Sequence, residues 1–211
     1  MTIDHKFIDQ FVNVTSKAAV ASYNLIGKKD KIAADKATVD SMRNNLNQLN
    51  IKGKIVIGEG ELDEAPMLYI GEKVGTRNGP EIDIAVDPLE GTNFAANNLP
   101  GALSVIAIAE KNNLFNAPET YMEKISANVN EKGVVDLDYS TKENIFNLCE
   151  YLNKKPESIT ACIMDRPRHK DIIDELNILG VKIKLITDGD VSGALLVTDD
   201  KYGVDIFLGI G

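Results

Sequence analysis

Apolar positions along the first quarter of the chain recur at helical spacing. Phe7, Phe11, Val14, Ala18, Ala21 and Leu25 step by threes and fours, which predicts an amphipathic helix over about residues 4–26. Val39, Met42, Leu46 and Leu49 repeat the pattern and predict a second helix over roughly 33–49. The period then shortens. Lys54-Ile55-Val56-Ile57 reads as a short strand, and Ile82-Asp83-Ile84-Ala85-Val86 as a buried strand entering a turn. Residues 102–109 form a further apolar run, beside which residues 121–127 are expected to pair. Ser140-Thr141-Lys142-Glu143 has the capping-box pattern and opens a helix carrying Ile145, Phe146, Leu148, Cys149 and Leu152.

Near residue 155 the rhythm changes. Strands at 159–164, 181–186 and 204–208 alternate with helices at 170–179, stopped by Gly180, and at 191–196. Such alternation implies right-handed βαβ units and a parallel sheet. The expected fold class is α/β, with an N-terminal α+β domain over 1–154 and the start of a C-terminal α/β domain over 155–211. No internal repeat interrupts this order.

Composition narrows the function classes. The formal charge is −9, from 32 acidic and 23 basic residues, which opposes nonspecific binding to nucleic acid or an anionic membrane and suits a site that gathers cations. No apolar run reaches transmembrane length and no signal-peptide pattern opens the chain, so a cytoplasmic protein is expected. Cys149 and Cys162, each in an apolar segment, read as buried free thiols of a reducing compartment.

The candidate chemistry centres on Asp87-Pro88-Leu89-Glu90-Gly91-Thr92, at the end of the 82–86 run. Two carboxylates and a hydroxyl in so short a stretch suit a hard divalent cation such as Mg²⁺ or Mn²⁺, whose shell water and phosphate complete. The bland alternative is a turn with a solvated Glu90. Asp35 falls near the predicted start of the second helix, where a carboxylate ordinarily caps the helix or complements its dipole. Gly58-Glu59-Gly60-Glu61-Leu62-Asp63-Glu64 places four acids just past a strand end. A cation would resolve their mutual repulsion, and a neighbouring carboxylate would serve as general base, while Glu61 and Glu64 are expected to face water. Arg166-Pro167-Arg168-His169 offers two guanidiniums to a phosphate, or else is a solvated basic turn. Asp188-Gly189-Asp190 precedes a helix, as a ligand-binding turn or an ordinary cap. Tyr121 reads first as a half-buried sheet residue, and His169 as a loop residue rather than a catalyst.

Taken in order, Gly58-Glu59-Gly60-Glu61, Asp87 to Thr92, Arg166 to His169 and Asp188-Gly189-Asp190 closely resemble class II fructose-1,6-bisphosphatase. Residues 55–75 and Asn116-Ala117-Pro118 to Lys124 look like this family too. It belongs with the inositol-monophosphatase-like sugar phosphatases, whose related signature has Asp in place of Glu90. The resemblance runs essentially from end to end, and it implies a layered α/β/α/β/α fold and frequent dimers or tetramers. It implies Asp35 and Glu59 as ligands of one divalent metal, Mn²⁺ or Mg²⁺, and Asp87 and Glu90 as ligands of another. Glu90, Gly91, Thr92, Tyr121, Arg166, Pro167, Arg168, Asp188, Gly189 and Asp190 resemble the substrate-contacting set. Thr92 looks like the residue that orients the attacking water, with Lys31 and Asp63 as helpers. The departure is at Gly209-Ile210-Gly211, where the family continues with a Pro-Glu-Gly segment whose glutamate completes a metal site. The C-terminal part of the fold is thus expected to be incomplete here, or carried by a second polypeptide. A strand ending at Leu208 is expected to present an open edge.

The activity implied is hydrolysis of the 1-phosphate of fructose 1,6-bisphosphate to fructose 6-phosphate, a step of gluconeogenesis, with Arg166 and Arg168 on the remote 6-phosphate. Alternatives keep the chemistry with sedoheptulose 1,7-bisphosphate, an inositol phosphate or a nucleotide 3′-phosphate. A further alternative abandons catalysis for a truncated sugar-phosphate-binding module. With only His5 and His169 present, no serine–histidine or cysteine–histidine arrangement competes.

Overall fold

The computed structural model describes residues 5–60, 68–115, 118 and 120–211. The chain divides into two compact units, Met1–Pro118 and Glu119–Gly211. In the first, α1 (Lys6–Ala21) and α2 (Lys31–Leu46) precede a four-stranded sheet. Its strands are β1 (Lys52–Ile57), β2 (Lys73–Val74), β3 (Glu81–Glu90) and β4 (Leu103–Glu110), in the order β2-β1-β3-β4. The helical stripe read from the sequence is the buried one. Phe7, Phe11, Val14 and Ala18 of α1, with Val39, Met42 and Leu46 of α2, pack on Ile55, Ile82, Ile84 and Val86 of the sheet. Both helices therefore lie on one face of it.

Strand β3 runs further than its apolar stretch predicts. β1 pairs with it in parallel and β4 antiparallel, and pairing with β4 continues to Glu90 opposite Leu103. Asp87 is not a residue at the strand's end, as the turn reading expected. It pairs with Val105, and the register breaks between Asp87 and Glu90. Pro88 supplies no N–H to a ladder, and a bulge is where a sheet tolerates that loss. The bulge separates the two carboxylates while keeping both on one strand. Gly91 then takes a left-handed conformation (φ 77°) that starts the short helix α3, Thr92–Ala96.

In the second unit the order is β5 (Glu123–Ala127), α4 (Thr141–Leu152), β6 (Thr160–Met164), α5 (Lys170–Ile178), β7 (Lys182–Ile186), α6 (Asp190–Leu195) and β8 (Ile206–Ile210). β6 pairs in parallel with β7 and with β8, as the alternation predicts. Helices cover both faces. Ile145 and Leu148 of α4 and Leu176 of α5 pack on Ala161, Ile206 and Leu208. Ala194 and Leu196 pack with Cys162 and Phe207 on the other side. Buried hydrophobes on alternate sides of β8 are what a two-sided parallel sheet requires. The capping box forms in full, Ser140 accepting from the Glu143 N–H and Glu143 accepting from the Ser140 N–H.

Two expectations about strand order fail here. Residues 123–127 do not lie beside β4; they pair antiparallel with β8 along its whole length. That partnership draws the boundary back to Pro118, ahead of the change of rhythm near 155. Consequently β8 is no open edge either. It sits between β5 and β6 in the order β5-β8-β6-β7. Cys149 and Cys162 are free and buried, and burial pushes the Cys162 thiol up to about 11.

Candidate active site

The first unit collects acids at one end of its sheet. Since β1 and β3 are parallel, Glu59, just past β1, lies at the same end as Asp87 and Glu90 on β3. Gly58 is needed beside it, because a Cβ there would stand 2.1 Å from the Leu68 carbonyl oxygen. That close approach is fixed by the Glu59 N–H, which donates to the same oxygen at 3.1 Å. Asp35 comes from α2. It does not cap that helix; Asp30 does, accepting from the Ala33 N–H at 2.9 Å. Asp35 is left one turn into the helix, half-buried, with its carboxylate available for other work. The loop before α2 is tied to α3 by Gly27 N–H to Ala95 O and Lys29 N–H to Ala96 O, both 2.9 Å. Those bonds hold the start of α2 against the segment that follows Glu90-Gly91.

The electrostatics of the acids show how close they are. Burial pushes the Asp87 carboxyl up to about 8, with a hydrogen bond to Glu90 and the charges of Glu90, Glu59 and Asp35 all adding to the shift. Burial also raises Glu59 to about 7; Asp35 adds to that rise and the Arg43 cation opposes it. Asp35 itself is raised by burial. Glu59 Oε2 is buried and makes no hydrogen bond. A buried carboxylate oxygen without a donor is costly, and a hard cation is a chemically suitable partner for it. As the side chains stand, no group of three or more His, Cys, Asp or Glu among the described residues is gathered tightly enough to hold a metal ion. Asp87 and Glu90 share a hydrogen bond, and Glu59 and Asp35 act on Asp87 through their charge. One or two carboxylates, completed by water and phosphate, is the donor set Mg²⁺-type sites use. The residues present fit such an ion.

Thr92 is the first residue of α3, directly after Gly91, and is half-buried. Lys31 opens α2 and is exposed. Asp63 lies outside the described residues. Sequence reasoning missed Arg43, whose Nε and Nη2 hold Glu72 at 2.7 and 3.1 Å while its charge acts on Glu59. It also missed Ser104, whose buried hydroxyl makes no hydrogen bond. Neither has a local motif to announce it.

The second unit gathers the remaining predicted residues at the C-terminal ends of β6, β7 and β8, the end at which open α/β sheets place ligands. Tyr121 precedes β5, whose antiparallel direction brings its start to the same end. The Arg168 guanidinium stacks on the Tyr121 ring, 4.6 Å from its centroid, and its Nε donates to the Ile210 carbonyl at 2.6 Å. Arg166 faces Asp188 at 3.6 Å. Pro167 opens the single turn of 3₁₀ helix between them. Gly189 has φ 83° and leads into Asp190, the first residue of α6. Asp190 meets Lys124 at 3.4 Å through Oδ2, while its Oδ1 is buried without a hydrogen bond. His169 is fully buried: Nδ1 lies 2.7 Å from the Met164 carbonyl, and Nε2 accepts from the Ile210 N–H at 2.9 Å. It pins the arginine loop to β8.

With that geometry in view, comparison with known proteins is informative. The family described as bacterial fructose-1,6-bisphosphatase, glpX-encoded, matches residues 5–211. The D-fructose 1,6-bisphosphatase class 2/sedoheptulose 1,7-bisphosphatase of Synechococcus sp. (strain CC9902) is 48% identical over 209 residues, covering 99% of this chain and 63% of that protein. The fructose-1,6-bisphosphatase 1 class 2 of Escherichia coli (strain K12) is 47% identical over 202 residues, covering 96% of this chain and 60% of that protein. The chain therefore belongs to the bacterial class 2 fructose-1,6-bisphosphatase family, whose members depend on a divalent metal. It spans about three fifths of the length of the curated relatives it matches. No helix among the described residues is long and apolar enough to cross a membrane.

Proposed function

We propose that the protein of which these residues form part hydrolyses the 1-phosphate of fructose 1,6-bisphosphate, with Mn²⁺ or Mg²⁺ held by Asp35, Glu59, Asp87 and Glu90. One observation carries the reading: four acids converge at one sheet end, three of them with raised pKa values and one with a buried orphan oxygen. A divalent cation bound there supplies Lewis-acid neutralisation of the phosphoryl oxygens. The chain's own residues do the rest by position. Thr92, on the half-buried first turn of α3, orients the attacking water through its hydroxyl. Lys31 and Asp63 assist Thr92 in that reading. Arg168, pre-set by its stack on Tyr121 and its bond to Ile210 O, and Arg166 hold the remote phosphate with Asp188, Gly189 and Asp190. Binding energy at that remote group fixes the reacting one. The reading carries a cytoplasmic dimer or tetramer without nucleic-acid or membrane partners.

Sedoheptulose 1,7-bisphosphate is the second substrate of the proposal, supported by the names of the Synechococcus relatives. The test is phosphate release by the full-length protein at fixed Mn²⁺. The panel is fructose 1,6-bisphosphate, sedoheptulose 1,7-bisphosphate and adenosine 3′,5′-bisphosphate. Turnover of the sugar bisphosphates that EDTA abolishes supports the assignment. Preference for the nucleotide, or binding without phosphate release, overturns it.

A further inference from the structure

A cavity of the first unit has none of the four acids in its lining. It is a cleft of about 640 Å³ that runs along β1 and the start of β3, with Val56, Ile70 and Leu114 as its apolar lining, while Ile82 borders it but packs into the core under the helices. Lys52, Lys54, Lys73, Arg77 and Lys111 line it, against two carboxylates, Glu81 and Asp83. This is a net positive concavity on a chain whose formal charge is −9. Both acids are already engaged. Glu81 pairs with Lys111 at 2.9 Å, and buried Asp83 accepts from the Asn112 N–H at 2.6 Å.

The register adds a second, independent observation. Lys54 and Lys73 are directly opposite partners across the antiparallel β1–β2 pair. Like charges in that arrangement destabilise a sheet, whereas opposite charges would support it. Among the described residues neither lysine has an ion-pair partner, although Asp83 is the neighbour of Lys54 on its other side. Arg77, one turn beyond Lys73, uses Nη2 on the Lys73 carbonyl at 2.6 Å, which holds its guanidinium at the same rim. An anion between Lys54, Lys73 and Arg77 would replace the repulsion with charge-assisted hydrogen bonds. The cavity lies within the range of small-molecule sites and exceeds what an inorganic ion fills.

We propose that this cleft binds a small phosphate-bearing molecule, its phosphate between Lys54, Lys73 and Arg77 and its organic part on the Val56–Leu114 floor. The site is separate from the acids and does not depend on the hydrolase reading. Strands β1 and β3 run directly from it to Glu59 and Asp87, so a ligand there has a short, rigid route to the acids.

The test is calorimetric titration of the EDTA-treated protein, in which the uncompensated acids repel anions. Inorganic phosphate and phenyl phosphate are the two probes. Saturable one-to-one binding is expected, weakened about tenfold or more by Lys54→Gln and by Lys73→Gln, since each removes a charge-assisted bond. Lys132→Gln, in the second unit, should leave it unchanged. Tighter binding of phenyl phosphate identifies an organic ester as the ligand class, and equal binding identifies free phosphate. Because Lys54 and Lys73 repel each other, both variants should melt at or above the wild-type temperature, so lost binding would not reflect lost folding. Absence of saturable binding, or binding that survives both substitutions, overturns the proposal. So does binding that disappears only in Arg166→Gln or Arg168→Gln.

Discussion

The two units hold their charged groups in opposite ways. In the second, cations and acids meet partners from the protein: Arg166 faces Asp188, Arg168 rests on Tyr121 and Ile210, and Lys124 reaches Asp190. In the first, the four site acids face one another's charge, and burial, with that charge adding to it, moves Asp87 and Glu59 into the neutral pH range. Charge met as in the second unit is largely compensated within that unit, Asp190 Oδ1 excepted. Uncompensated charge stores repulsion that a cation would relieve, and this is what a metal-dependent site requires of its protein.

The sharpest break in that comparison is Asp87→Asn. In the full-length enzyme it should cut metal-dependent turnover by at least about 100-fold, since even outer-shell partners of a metal are worth 10–100-fold. In the metal-free protein the same change should raise the melting temperature at pH 8, because it removes a repelled charge; a drop there would deny the repulsion. In the second unit Arg168→Lys keeps the charge but loses the planar stack and the Nε bond to Ile210 O. Steady-state kinetics should show KM raised about tenfold with kcat little changed, and an unchanged KM would sink the positioning role.

The pH dependence separates the units further. Folding raises Asp87 from 3.8 to about 8 and Glu59 from 4.5 to about 7, so the folded state holds protons that the unfolded chain has released. Their contribution to stability is full below about pH 4 and lost as pH climbs through 7 and 8. The metal-free protein should therefore melt several degrees lower at pH 8.5 than at pH 5.5. Added Mn²⁺ should restore more of the difference at the higher pH, as followed by circular dichroism. The smallest effect expected is Ser140→Ala, which removes the capping box of α4 and should cost about 1 kcal/mol without touching either cluster.

Local chemistry made the acids and the arginine loop legible: Asp87, Glu90 and Arg166 to His169 each sit in a short stretch of unusual composition. The helical stripes and the capping box were equally local. What escaped was set by distant chain. Nothing in residues 123–127 names β8 as their partner, because strand pairing depends on sheet-wide packing rather than on the strand's own pattern. The apolar run ending at Val86 hides the bulge that carries β3 on through Pro88 to Glu90. Asp30 displaced Asp35 as the helix cap, since a cap is decided by one residue's backbone angles and not by the presence of an acid. Arg43 acts on Glu59 only after α2 has packed against the sheet.

The most direct test of the claim that these acids form a cation site is Mn²⁺ titration calorimetry of the full-length protein at pH 7.5. It should be run in two buffers of different ionisation enthalpy, to count the protons released. Wild type should bind Mn²⁺ with net proton release, because Asp87 and Glu59 must give up protons to become ligands. Asp87→Asn should bind more weakly and release fewer. Equal affinity and equal proton release in the two proteins would contradict the account.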